Sequence, residues 1–247
     1  METDIIFYLV AAIAVVFTGI SKGGFGGIAL LAVPLLTLAM PATTAAAVML
    51  PLLLAMDALG IWEYRREAHW GHLKLLLPGS VIGIITGTLT ASFVNDQIIQ
   101  FIVGTIAVVF VLYRWWPKRK DKDSNPAPSS YGLFWGSLAG YTSFIAHAGS
   151  PPFHVYILPK GLSPRTLTAT GVWFFAIVNL VKLPAYFVAS QISTETLIIS
   201  ASLLPLVPVG FFLGVWMNKR ISEVIFYKII YAAAFLIGLK LMISSLT

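Results

Sequence analysis

The sequence predicts an all-α, polytopic inner-membrane protein of about eight to ten membrane segments. It further predicts two inverted-topology repeats with broken or re-entrant helices. Three observations carry this. First, 58% of the 247 residues are hydrophobic and 11% charged, with mean hydropathy +0.87; a soluble domain has about 45–50% apolar and about 25% charged residues. Neither water nor one soluble core can take up that much apolar surface. At about 20 residues per span, no length remains for a separate soluble catalytic or nucleic-acid-binding domain. Second, the two halves of the chain repeat. Third, the few basic residues fall on one side of the predicted topology.

The elements follow in order. Met1-Glu2-Thr3-Asp4 is acidic, unlike the positive n-region of a signal peptide, so the first segment reads as retained. Ile5–Phe17 and Ile28–Met40 are short apolar runs flanking Ser21, Lys22 and the glycine-rich Gly23-Gly24-Phe25-Gly26-Gly27. Thr44–Trp62 is a full-length run ending in the polar loop from Glu63 to His72. Leu73–Phe93 and Ile98–Trp116 complete a first repeat, residues 1–116. Residues 117–130, basic early and rich in Pro, Ser and Asn late, read as a linker. The second repeat, residues 131–247, has apolar runs at Tyr131–Ala146, Phe153–Leu158, Leu167–Ala189, Leu197–Met217 and Val224–Leu246. Trp62, Trp70, Trp115 and Trp116 sit at run ends, where indoles anchor a span at the interface.

The repeat rests on Pro78/Pro205, Gly83/Gly210 and Gly87/Gly214, which pair at one constant offset. The same offset pairs Asn95-Asp96 with Ser222-Glu223, polar pairs suited to open the next helix. The glycines form a small-xxx-small face for close helix packing in lipid, a structural role. Gly26-Gly27 corresponds to Gly149-Ser150 at a slightly shorter offset.

Charge placement sets orientation, because cytoplasmic loops carry the Lys and Arg excess. A single crossing by residues 1–40 splits the basic loops between both faces. Two passes, or a hairpin that dips in and returns, put Arg65, Arg66, the Lys118-Arg119-Lys120 linker, Lys160, Arg165, Lys219 and Arg220 on one face. Glu2, Asp4, Asp96 and Glu195 fall on the other. This arrangement makes linker 117–130 cytoplasmic and both termini external. The net charge of +6 is then an orientation signal, not a nucleic-acid footprint. Hairpin and two-pass forms of residues 1–40 both satisfy the charge pattern.

Two stretches carry the functional signal. Each of the first two runs is about 20 Å long as a helix, short of a core about 30 Å thick. The matching place in the second half, Gly140 to Pro152, again breaks at Gly, Ser and Pro. Paired interrupted segments in matching positions of two halves point to a transporter site. Irregular backbone at membrane depth survives only against protein or water, and a broken helix aims free N–H groups at an anion.

With Gly23-Gly24-Phe25-Gly26-Gly27, Val33-Pro34-Leu35, Ser143 and Gly149-Ser150-Pro151-Pro152 in this order, the chain resembles the sulfite exporter TauE/SafE family over nearly its whole length. The Tyr64-Arg65-Arg66 helix exit and the Pro78-Gly83-Gly87 helix also fit. Two departures are Gly-Ser-Pro-Pro where the family often has Gly-Gly-Pro, and His147 where it often has a small residue. The resemblance implies a transporter of small sulfur-containing or organic anions such as sulfite, thiosulfate or sulfonates.

The residues expected to bind substrate are Ser21, Lys22, Gly23, Gly24, Phe25, Gly26, Gly27, Ser143, His147, Gly149, Ser150 and Pro151. Lys22 is an anion ligand if the first break is deep, and a positive-inside lysine if it is cytoplasmic. Asp57 inside an apolar run, Asn179 one position before its counterpart, and Lys182 are expected to line a cavity or serve coupling. Asp57 would pair with Lys22 or Lys182; Lys182 would line the cavity or snorkel beside a break at Pro184. His147 titrates near neutral pH in water and is a proton-coupling candidate. His154 flanks the same motif; His69 and His72 lack the acidic or Cys company of a metal site. With zero Cys and no Walker motif, no metal, cofactor or direct ATP hydrolysis is expected. The expected partners are a small anion and the bilayer. Two alternatives are an intramembrane serine hydrolase using Ser143 and His147 at i, i+4, and a passive anion channel.

Overall fold

The computed structural model describes residues 5–24, 32–37, 39–115, 129–189, 192–220 and 223–246. Phe25, Gly26, Gly27, Trp116 and the linker up to residue 128 lie outside the described residues. The helices are α1 (Ile5–Lys22), α2 (Ala32–Leu36), α3 (Ala42–Tyr64), α4 (Trp70–Thr90), α5 (Asp96–Trp115) and α6 (Ser129–Ala146). They continue as α7 (Ser150–Ile157), α8 (Pro164–Val188), α9 (Thr194–Leu203), α10 (Leu206–Arg220) and α11 (Glu223–Ser244). Every regular element among the described residues is helical. Ser129 and Ser130, expected in the linker, form the first turn of α6.

Four helices among the described residues are long and apolar enough to cross a membrane: Ala42–Tyr64, Trp70–Phe93, Asp96–Tyr113 and Arg165–Val188. A fifth span results if Thr194–Leu203 and Leu206–Met217, bent by 47° at their junction, count as one. Length and composition thus make this a multi-pass membrane protein. The other helices are shorter in their described apolar part (Phe7–Lys22 and Ala234–Ser244), interrupted, or, like α6, rich in Gly and Ser.

Polar side chains start several of the helices. Ser163 accepts the Thr166 N–H at 3.2 Å and Ser193 forms a capping box with Thr196. Asn95 accepts the Ile98 N–H at 2.9 Å. The run Leu197–Met217 does not form one straight helix. Pro205 has no N–H to give, and three-residue backbone bonds (Leu204 N–H to Ala201 O, Val207 N–H to Leu204 O) replace the regular ladder there. Its counterpart Pro78 stays inside an unbroken α4, and α8 runs through Pro184 without the expected break.

Packing follows the small residues. α4 lies parallel to α6: a Cβ on Gly83 would strike the Ser137 carbonyl, and one on Gly140 the Ser80 carbonyl. α1 lies parallel to α10 in the same way, and a Cβ on Gly19 would meet the Gly210 backbone at 2.8 Å. α5 and α11 run antiparallel, Gly104 against Gly238 and Met242. α3 packs on α8, also antiparallel, since the residues after α3 meet the start of α8.

These contacts define two ends of the bundle. At one, Arg165 Nε donates to Glu67 Oε2 at 2.5 Å and the His69 N–H to Thr170 Oγ1 at 2.9 Å. Arg65, Arg66 and Lys160 belong to this end. At the other, Asp96 accepts the Thr43 N–H at 3.0 Å, and Thr43, Thr88, Ser92, Ala189, Ser193 and Glu195 line a cavity of about 650 Å³. Trp62, Trp70 and Trp115 are exposed, as interface anchors are.

Candidate functional site

Two polar clusters meet where α1, α3, α6 and α8 come together. Lys22, the last residue of α1, donates to Asp57 Oδ1 on α3, and its side chain is 12% exposed. Asp57 is 2% exposed, and its Oδ2 accepts from Asn179 Nδ2 on α8 at 2.5 Å. Of the two partners expected for Asp57, Lys22 is the one it takes. At 1.5 Å per residue, Asp57 lies about 10 Å from the Tyr64 end of α3 and Asn179 about 22 Å from the matching end of α8. The pair therefore sits well inside both helices.

The second cluster centres on Lys182, which is 0% exposed and does not snorkel. Its Nζ donates to Ser143 O at 3.0 Å, Ser143 Oγ at 3.1 Å and His147 Nδ1 at 2.7 Å. His147 Nε2 faces the Ala46 carbonyl at 2.7 Å, which needs a proton on Nε2 and leaves Nδ1 as the acceptor. His147 itself has φ +50, a left-handed conformation rare in non-glycine residues, just past the end of α6. Its N–H still bonds Ser143 O at 3.0 Å, and the Ala148 N–H closes the helix end on Thr142 O at 3.1 Å. Tyr186 OH donates to Phe144 O at 2.7 Å and lies 3.5 Å from His147 Nε2.

One ring joins the breaks. Lys22 Nζ stands 5.1 Å from the centroid of Phe175, and Phe175 Cε1 is 3.2 Å from where a Cβ on Gly149 would be. The charges of Lys22 and Asp57 both act on Lys182, and those of Lys22 and Lys182 on His147. The site thus holds two lysines against one carboxylate among the described residues. A buried cation without a full counter-charge is costly in low dielectric, and an anion at this place relieves that cost.

The other expected ligands are placed differently. Ser21 is half-buried and its carbonyl accepts the Gly24 N–H at 3.2 Å. The Gly23 N–H bonds Gly19 O at 2.8 Å, while Gly23 O accepts from Tyr64 OH at 3.0 Å. The N–H groups of Gly23 and Gly24, expected to cradle an anion, are therefore committed inside the chain. At the start of α7, Pro151 and Pro152 are buried and lack N–H groups, so Gly149 and Ser150 supply the donors of that turn. Ser150 Oγ pairs with His154 Nδ1 at 3.0 Å. The Ser143 and His147 side chains both bond Lys182, which stands between them, so the i, i+4 spacing does not produce a direct Ser–His pair among the described contacts.

Sequence reasoning missed Tyr186 and Phe175. Tyr186 is four residues after Lys182, on the same helix face, and that spacing was its available signal. Phe175 is one of many aromatics in an apolar helix and had none.

A family model described as Sulfite exporter TauE/SafE matches residues 11–241. No curated protein and no solved structure matches the chain.

Proposed function

The chain belongs to the sulfite exporter TauE/SafE family, and we propose that it is a secondary carrier exporting small sulfur-containing anions, such as sulfite or sulfonates, across the cell membrane. The observation that carries this reading is the surplus of lysine over carboxylate inside the bundle, where the two helix breaks meet across Phe175. Lys22 binds the anion directly, because its ammonium keeps donor directions beyond the one given to Asp57 and is partly open. Gly149 and Ser150, at the start of α7, supply a second set of donors, and Gly149 lies beside the same ring. Lys182, held by Ser143 and His147, adds the second positive charge.

Alternating access is the mechanism this arrangement favours. Corresponding helices of the two halves, α3 with α8 and α5 with α11, run antiparallel, while α1 and α6 each pack parallel to the other half's α10 and α4. That is the pattern of halves 1–116 and 131–247 related by an axis in the membrane plane. The end bearing Arg65, Arg66, Lys160 and Arg165 is cytoplasmic by the positive-inside rule, so the cavity beside Asp96 and Glu195 opens outside.

Proteoliposomes loaded with labelled sulfite test the reading. Efflux should exceed that of empty liposomes, saturate, and show counterflow. Efflux equal to empty liposomes overturns it; protein-dependent flux without saturation or counterflow favours a channel.

A further inference from the structure

Lys182 is fully buried and, together with His147, is held by groups from α3 and α6. The left-handed turn at His147, the Ala46 carbonyl and Ser143 all serve to fix one imidazole against one ammonium. Resting on the carrier reading above, we propose that His147 takes up one proton for each anion bound, so that the protein carries anion and proton together.

The geometry sets the proton count. Only one proton fits between Lys182 Nζ and His147 Nδ1 at 2.7 Å. With the site empty, Lys182 keeps that proton and His147 is neutral, its single N–H on Ala46 O. An imidazolium would add a third positive charge beside Lys22 and Lys182, against Asp57 as the one carboxylate among the described residues there. A bound anion changes both conditions. It cancels one unit of charge, and it offers Lys182 an acceptor to replace His147. Once that N–H turns to the anion, the Nδ1 lone pair is free. A hydronium ion then gives its proton to Nδ1 and leaves as water. The new Nδ1–H also points toward the anion. One negative and one positive charge have entered, so transport of a monoanion is electroneutral. By linkage, the proton raises anion affinity as much as the anion raises proton affinity.

The cavity approaches the imidazole from its Nε2 side. Thr44 and Val188 line the 650 Å³ cavity. Ala46 and Tyr186, which touch His147, lie two residues deeper on the same helices, about 3 Å of rise. The groups acting on the pair are Lys22 from α1, Asp57 and the Ala46 carbonyl from α3, Ser143 from α6, and Tyr186 from α8. Of these, Tyr186 spends its hydrogen on Phe144 O. Asp57 is occupied by Lys22 and Asn179. The free nitrogen lone pair of the imidazole is thus the acceptor of choice.

Calorimetry on the purified full chain with methanesulfonate counts the protons, because a strong-acid anion brings no titration of its own. Binding heats are compared in two buffers of different ionisation enthalpy between about pH 6 and about pH 8. We expect uptake approaching one proton per anion in the wild type. His147→Gln should show an uptake of zero at saturating anion. His147→Asn should behave alike, and Asn tolerates the left-handed backbone if Gln does not fold. Binding without proton uptake in the wild type overturns the proposal, as does full uptake in both variants. Failure to bind methanesulfonate, thiosulfate and sulfite alike overturns the carrier reading beneath it.

Discussion

At the residue scale, Asp57 and Lys182 stand out in the amino-acid sequence alone. A carboxylate and an ammonium inside apolar runs demand partners, and the cost of burying them makes the demand specific. Their partners were only partly legible. Asp57 takes Lys22 and Asn179, both among the sequence candidates, but nothing in the sequence told that Lys182 would bypass Asp57 for Ser143 and His147. That choice depends on the left-handed turn at His147, a tertiary outcome with no local signature. The N–H groups of Gly23 and Gly24, expected to cradle an anion, close α1 instead, while Phe25, Gly26 and Gly27 lie outside the described residues. The pairing gives a directional expectation. Asp57→Asn removes the one carboxylate of the cluster among the described residues and leaves its two lysines uncompensated. Its stability should drop by about 3 kcal/mol, the size seen on breaking a buried ion pair. Added methanesulfonate should restore more of the melting temperature in this variant than in the wild type, because the variant's uncompensated charge is larger. Equal shifts for both proteins would show that the anion does not sense this charge.

At the element scale, helix positions were read well because apolar run length and the polar pair at Asn95 act locally, while the caps Ser163 and Ser193 start their helices ahead of the apolar runs at Leu167 and Leu197. Breaks were read less well. Pro205 breaks its helix and Pro78 and Pro184 do not, since neighbouring packing decides whether a missing N–H becomes a bend. The glycine faces proved to be seams. On α4 and α6 the backbones approach so closely that a single Cβ at Gly83 or Gly140 meets a carbonyl across the interface. Gly83→Val should therefore part the two helices and cost about 2 kcal/mol or more. Gly161→Asn offers a contrast: it faces open space at φ +63, a conformation Asn accepts, and should melt near the wild type. Thermal unfolding in detergent checks both, and a Gly83→Val protein as stable as Gly161→Asn would refute the seam.

At the scale of the whole molecule, the sequence carried the membrane class through composition, and its repeated Pro and Gly positions are the basis for proposing two related halves. It could not show that the two breaks share one aromatic ring, because Phe175 looks like any lipid-facing phenylalanine until Lys22 and Gly149 close on it. The bundle that results has a charged middle between two unlike ends: an Arg165–Glu67 clasp at the basic end and an open cavity at the acidic one. We read the molecule as a carrier closed on the cytoplasmic side, with its anion site built from both halves. If so, the anion needs lysines from both. Equilibrium binding of labelled sulfite to the purified chain tests this most directly. The wild type should bind saturably at one site. Lys22→Gln and Lys182→Gln should each weaken binding at least about tenfold, the loss expected for a charge-assisted hydrogen bond or a nearby buried charge. Binding unchanged in both folded variants would contradict the account.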